Sequence, residues 1–257
     1  MIGKKEDERL TGAELVNPYD AARGKGEQVE QMFDSIAPAY DFMNTAMTLG
    51  LHRRWRDSAL RAAARLSPSP SSILDIATGT GDVAFKLAAN YPEASITGVD
   101  LSKGMLRIAC EKLKEKPEDI RKRMRFEFGD SLDLRYEDEA FDLITVAYGV
   151  RNFEHLRQGL GEMQRVLRPG GTLCIIELSV PARSVCRFGY NLYSRHLIPA
   201  IGRIVSGDSR AYTYLPESIA AAPQREAMTS ILKDCGFRDP EWHSLTLGAV
   251  TYYLARK

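Results

Sequence analysis

The chain has 257 residues, 44% of them hydrophobic and 27% charged, a balance that excludes collagen-like, disordered and disulfide-scaffold classes and fits one sizeable folded domain or a domain with an appended piece. Thirty-five Lys plus Arg against 34 Asp plus Glu leave a formal net charge of +1, which argues against a nucleic-acid partner held by a basic excess. Cys110, Cys174, Cys186 and Cys235 stand far apart without a CxxC pair, so no metal site is expected and a reducing cytosol fits best. The opening MIGKKEDERL lacks the apolar centre of a signal peptide, and no apolar run is long enough to span a bilayer. A cytoplasmic protein with peripheral membrane contact at most is therefore expected.

In chain order, residues 1–27 show no hydrophobic period and read as a flexible tail or a loosely docked arm. Residues 28–66 read as a helical lid or substrate-binding segment. Val29, Met32, Phe33 and Ile36 form the apolar stripe of a helix stopped by Pro38, and Trp55, Ala59, Ala63 and Leu66 share a face of a second helix from His52 to Leu66. The Ser/Pro stretch at 67–72 is a linker into the main domain, 67–257. There, apolar runs alternate with amphipathic segments, the pattern of a doubly wound Rossmann-like α/β sheet. Strands are expected at Ser72 to Ala77, Ser95 to Val99, Arg125 to Phe128, Asp142 to Ala147 and Thr172 to Leu178, with helices near 82–90, 103–115, 155–167 and 224–235. The last two strands, Glu241 to Thr246 and Ala249 to Leu254, are joined too closely for a parallel crossover and form a C-terminal antiparallel hairpin.

The turn after the first strand, Asp75-Ile76-Ala77-Thr78-Gly79-Thr80-Gly81-Asp82, is a loose nucleotide-binding glycine loop. Asp100 lies nineteen positions after Gly81, where a carboxylate can accept both hydroxyls of an adenosine ribose. Acids at Asp75 and Asp82 favour a cationic sulfonium and oppose a pyrophosphate, which selects S-adenosyl-L-methionine over NAD. Asp130 and Ser131, beyond the third strand, can meet the adenine edge.

Four stretches then resemble the ubiquinone and menaquinone biosynthesis C-methyltransferases. They are Tyr40-Asp41-Phe42-Met43-Asn44 with Thr48, His52 and Trp55; Arg165-Val166-Leu167-Arg168-Pro169-Gly170-Gly171 with Glu177-Leu178-Ser179; Gly149-Val150-Arg151-Asn152-Phe153; and Ala211-Tyr212-Thr213-Tyr214-Leu215-Pro216-Glu217-Ser218-Ile219. The resemblance implies the class I S-adenosylmethionine-dependent methyltransferase fold and methyl transfer to a ring carbon of a polyprenylated quinol, most simply demethylmenaquinol, with the benzoquinol precursor of ubiquinone as the alternative. It carries cofactor contacts onto Thr80, Asp100, Asp130 and Ser131, with Ala147 limited to a backbone or packing contact; Gly79 and Gly81 form the loop itself.

A neutral ring carbon is a poor nucleophile, so the reaction needs a group that favours phenolate. Arg151 is the leading candidate, its alternative being a structural bridge to Glu154. Tyr40 or Asp41 could orient the substrate or accept its proton, His52 is the tempting general base, and Tyr148 and Asn152 line the pocket. His155, His196 and His243 read as structural. The insertion 180–219, with Phe188, Tyr190, Leu192, Tyr193, Leu197, Ile198, Ile201, Ile204 and Val205, reads as a cover for the isoprenoid tail, with Arg183, Arg187, Arg195, Arg203 and Arg210 toward lipid headgroups. A helical cap on the sheet or a homodimer surface serves the same residues. An NAD-dependent oxidoreductase and a non-catalytic cofactor-binding scaffold are the rival readings.

Overall fold

The computed structural model describes residues 10–20, 22–182 and 209–257. Within them seven strands form one sheet: β1 (Ser72–Ile76), β2 (Ser95–Asp100), β3 (Met124–Phe128), β4 (Phe141–Ala147), β5 (Leu167–Leu178), β6 (Arg238–Leu245) and β7 (Val250–Arg256). Their order is β3-β2-β1-β4-β5-β7-β6. The first five pair in parallel, and β7 runs antiparallel to both its neighbours. Parallel strands are covered on both faces, which is why Ile73-Leu74 and Leu143-Ile144 read as uninterrupted apolar pairs and are fully buried. The terminal hairpin turns through Thr246–Gly248, as the short connection required.

The helices are α1 (Lys25–Ile36), α2 (Tyr40–Thr48), α3 (Leu51–Leu66), α4 (Asp82–Asn90), α5 (Lys103–Lys114), α6 (Glu118–Arg123), α7 (Leu156–Val166), α8 (Ser209–Ala221) and α9 (Glu226–Asp234). Trp55, Ala59, Leu60 and Ala63 of α3 join α4 over one face of the sheet. Leu160 and Met163 of α7 and Met228 and Leu232 of α9 cover the other. Pro38 ends α1 as its missing N–H requires, but the chain tightens into a 3-10 turn over Ala37–Ala39 and resumes as α2. A third, smaller cluster, Met32, Ile36, Ala37, Met43, Met105 and Tyr214, seats α1 and α2 on α5 and α8.

Three differences from the expected elements have physical causes. Helix α6 buries no residue, so it offers no hydrophobic period to read; acids in its first turn and bases in its last complement its dipole. Strand β5 begins at Leu167 rather than Thr172, because Leu167 pairs with Phe141 before a register shift at the glycines. The third is that, of the expected tail or loosely docked arm, the described residues are docked. Between Thr11 and Lys25 two charged residues bind the backbone of the domain: Glu14 accepts from Leu156 N at 2.8 Å, and the buried Lys25 ammonium donates to Ala13 O at 2.6 Å and Arg151 O at 3.1 Å. The Gln28 carboxamide collects Tyr19 N, Asp20 N and Arg23 O. Of the expected insertion, Arg183 through Val205 lie outside the described residues; Arg210 is exposed at the start of α8.

Candidate active site

The site lies at the carboxyl ends of β1 and β4, where successive connections leave the sheet in opposite directions and open a crevice. Each strand ends on a non-glycine residue in the left-handed region, Ala77 at φ +52° and Tyr148 at φ +60°. An aromatic residue is costly there, and it persists because Tyr148 N is held by Ile176 O at 2.7 Å. Both residues are wall components of two adjoining cavities.

The first cavity, about 780 Å³ with its open mouth, is lined by Gly79, Asp100, Asp130, Ser131, Ala147 and Asn152 among the expected residues, and by Val99, Leu101, Met105 and Phe153. Gly79, at φ +58°, has nothing closer to a notional Cβ than Tyr40 at 4.0 Å, so its backbone faces open space. Its N–H donates to Asp100 Oδ2 at 2.7 Å, and Ser102 N donates to Oδ1 at 2.8 Å. The Leu101 backbone N–H also acts on this carboxylate, which keeps acceptor capacity for a ligand hydroxyl. Burial pushes the Asp100 carboxyl up to about 6. Asp130 turns Oδ1 to Leu132 N at 2.9 Å and closes the end of the cleft.

Two expected cofactor residues serve other ends. Gly81 lines neither cavity; at φ +84° a Cβ would lie 2.8 Å from the Phe126 ring and 2.9 Å from Phe85, so glycine is needed for packing. Asp75 is buried beneath the loop, accepting Thr145 Oγ1 at 2.5 Å and Thr78 Oγ1 at 2.6 Å, and desolvation raises its carboxyl to about 6. It lines only the second cavity and braces the turn.

The second cavity is larger, about 2090 Å³ including its open mouth, and largely apolar, with Met32, Ile36, Met43, Met47, Leu51, Trp55, Leu215 and Ile219 in its wall. It shares Phe33, Tyr40, Ala77, Gly79, Ala147 and Tyr148 with the first, so the two meet across the ends of β1 and β4. Arg151, His52, Tyr40 and Tyr148 are among the polar groups of its wall. Arg151 Nη1 donates to Glu177 Oε1 at 2.8 Å and to Tyr148 O, and Arg151 N reaches Glu177 Oε2 at 3.3 Å. Glu177, not Glu154, is therefore its partner; Glu154 instead caps α1, accepting Lys25 N and Gly26 N at 3.1 Å each. Burial works against the Arg151 charge, but Glu177 outweighs it and holds the guanidinium protonated. Arg151 Nε and the Tyr148 hydroxyl are both buried and have no hydrogen-bond partner among the described residues.

His52 is buried, and its Nδ1 lies 2.7 Å from Thr48 Oγ1, which is itself 2.6 Å from Asn44 O. A carbonyl only accepts, so the single hydroxyl proton goes to Asn44 and Thr48 accepts from Nδ1–H. That assigns the tautomer: Nε2 keeps its lone pair. Burial, with Arg56 and Arg53 nearby, lowers the His52 pKa below its usual value, so the ring is a neutral base. Burial raises the phenols of Tyr40 and Tyr148, which remain protonated donors.

Asp41 is not brought to either cavity wall. Its carboxylate accepts from Thr80 Oγ1 at 2.7 Å and Lys112 Nζ at 2.6 Å; Lys112 also reaches Thr80 Oγ1 and Asp82 Oδ1 at 3.0 Å, and Arg56 pairs with Asp82 Oδ2 at 3.0 Å. The Thr80 hydroxyl is consumed in this ring, which ties α2 to the glycine loop, α3 and α5. Lys112, Arg56 and Glu177 carry functions that the sequence reading did not single out. Glu177 could have been found, since it closes β5 in the Glu177-Leu178-Ser179 stretch; Lys112 sits on an unremarkable helical face. Tyr214 OH holds Asn152 Oδ1 at 3.0 Å, which orients that amide at the cleft wall.

The sequence matches the ubiE/COQ5 methyltransferase family over residues 21–257. It is 44% identical over 250 residues to the demethylmenaquinone methyltransferase of Porphyromonas gingivalis, covering 96% of this chain and 100% of that one. It is 39% identical over 235 residues to the ubiquinone/menaquinone biosynthesis C-methyltransferase UbiE of Geotalea daltonii, covering 91% and 97%. Among solved structures, the cyclase SpnF shares the fold at TM-score 0.66 and 19% identity, over 90% of this chain and 96% of that one. Phosphoethanolamine N-methyltransferase 2 of Haemonchus contortus, in complex with S-adenosyl-L-methionine, does so at TM-score 0.58 and 17% identity, over 78% and 52%.

Proposed function

The chain belongs to the ubiE/COQ5 methyltransferase family, and from that premise we propose that it methylates a ring carbon of a polyprenylated quinol with S-adenosylmethionine as donor. Demethylmenaquinol is the first substrate, after the names of relatives such as that of Porphyromonas gingivalis; the benzoquinol precursor of ubiquinone is the second, favoured by the UbiE-named relatives. One observation carries the reading: an apolar chamber lined by Arg151 and Tyr148, whose Nε–H and O–H are buried and without a partner among the described residues, adjoins a cleft suited to an adenosine. A buried donor left unpaired costs about 1–3 kcal/mol, which quinol oxygens would offset.

The residues of the cleft fit the donor: Asp100 lines the wall as an acceptor for a ribose hydroxyl, and Val99, Leu101 and Met105 offer an apolar wall for a purine. When bound, S-adenosylmethionine supplies an electrophilic methyl group. The chain's own residues prepare the other reactant. Arg151 Nε–H donates to the ring oxygen and favours phenolate over a phenol of pKa about 10, and the ionised oxygen raises electron density at the ortho carbon. His52 Nε2 accepts the phenolic proton, since Tyr40 and Tyr148 are held protonated and Asp41 is engaged elsewhere. Glu177 fixes the guanidinium, Tyr148 orients the ring, and the methionine-rich wall takes the isoprenoid tail. The aim of this constellation is a carbon-to-methyl approach of about 3–3.5 Å; the ring carbon that takes the methyl group gives up its own hydrogen as a proton, which restores the aromatic ring.

Incubation with labelled S-adenosylmethionine and a panel of naphthoquinols and benzoquinols, read by mass spectrometry, tests the proposal. A ring-methylated naphthoquinol is expected; no methylated quinol of either class would overturn it.

A further inference from the structure

We propose that the mouth of the apolar chamber is a docking surface for an anionic lipid bilayer, with Leu49 and Leu247 as its insertion points and Arg53 and Arg54 as its headgroup contacts. The inference rests on the polyprenylated-quinol reading and names the partner from which that substrate arrives.

Leu49 is 88% exposed and Leu247 73% exposed, the highest values among the large hydrophobic residues described. Both backbones are left-handed, at φ +50° and φ +57°. Glycine or asparagine suits that conformation and leucine does not, and an exposed leucine contributes no packing, so neither residue serves the fold. They stand on separate elements that meet at one place. Leu49 ends α2 and lines the chamber; Leu247 follows Thr246, which also lines it. Trp55 Nε1 donates to Thr246 Oγ1 at 2.7 Å and joins the two turns. The pairing of Leu178 with Val250 places the hairpin turn at the carboxyl edge of the sheet, the edge on which the chamber opens.

Charge selects the occupant. Arg53 and Arg54 are exposed on the first turns of α3, just past Leu49-Gly50-Leu51-His52, and neither has an ion-pair partner among the described residues. Apolar tips flanked by unpaired cations suit an anionic membrane interface. A tail drawn from such a bilayer would enter the chamber beside Leu49 without crossing water.

The test uses the full chain with vesicles of phosphatidylcholine alone or mixed with phosphatidylglycerol. Wild type is expected to co-sediment with the mixed vesicles at low salt. Leu247→Asn, which relieves the backbone, should keep the Tm and lower partitioning by about tenfold, the weight of one leucine side chain. An Arg53→Gln/Arg54→Gln variant should lose the preference for anionic lipid. Leu247→Asn and Arg54→Gln should methylate a short-tailed, water-soluble quinol at the wild-type rate and a vesicle-embedded long-tailed quinol more slowly. Wild type that ignores vesicles, variants that bind like wild type, or a dimer that Leu247→Asn dissociates would each overturn the inference. Wild type that binds vesicles yet methylates neither quinol would instead overturn the proposed function.

Discussion

Replacing Arg151 by lysine separates its two duties. The Arg151–Glu177 pair is 2.8 Å long with side chains only 8% and 4% exposed, so deleting the cation would strand a buried carboxylate. Breaking such a pair costs about 3–5 kcal/mol, and a domain has only about 5–15 in total, so alanine tests folding more than catalysis. A lysine ammonium can replace Nη1 toward Glu177 Oε1 and Tyr148 O, but it has no counterpart of the unpartnered Nε–H. Loss of one donor to a developing oxyanion is worth about 2.7–4 kcal/mol, or roughly 10²- to 10³-fold in kcat. At 1.36 kcal/mol per pH unit, the limb of the pH profile that reports phenol ionisation should move up by about 2–3 units. Melting curves, calorimetry with S-adenosylmethionine and quinol turnover from pH 6 to 10 read the three quantities separately. Arg151→Lys should keep Tm and cofactor affinity while losing turnover. A kcat within threefold of wild type, an unmoved limb, or a loss confined to cofactor affinity would refute the assignment.

His52→Gln should lower kcat by about 10²–10⁴ and erase the acid limb, which in wild type lies below the ordinary histidine value because burial and two arginines lower the His52 pKa; unchanged pH dependence would clear His52 of the role. Asp100 is at about 6 in the free protein and must be ionised to accept ribose hydroxyls, so cofactor affinity should be flat above that pH and fall as pH drops through it. Asp100→Asn should bind weakly and without this dependence, as calorimetry at stepped pH would show. Lys112→Met leaves Asp41 and Asp82 with only Arg56 between them, a local change of one negative charge. Affinity for neutral S-adenosylhomocysteine should then fall more than affinity for the cationic donor; an equal fall for both would reduce Lys112 to a purely structural tie.

Periodicity made the sheet, its terminal hairpin and the helices with an apolar stripe on the sheet legible, because strands buried on both faces are written as apolar runs and a short connection between strands permits one topology. Backbone spending of charges was invisible: Lys25 and Glu14 look solvated in the sequence and are bound to carbonyls and amides far along the chain. The same limit governs Asp82. As a bare acid at a helix N-terminus it argues against a pyrophosphate and for a sulfonium, but in the folded chain it is bound by both Arg56 and Lys112, and with Asp41 the cluster carries two cations and two anions. Its charge therefore does not discriminate between the ligands. What does is Asp100, committed to the Gly79 and Ser102 amides with acceptor capacity left for a ligand hydroxyl, and the lateral opening of that cleft into an apolar chamber lined by Arg151 and Tyr148, whose donors have no partner among the described residues. A nicotinamide enzyme needs a second substrate pocket too, but unpaired donors beside a neutral imidazole suit the ionisation of a phenol, and a wall of methionine and leucine suits its tail.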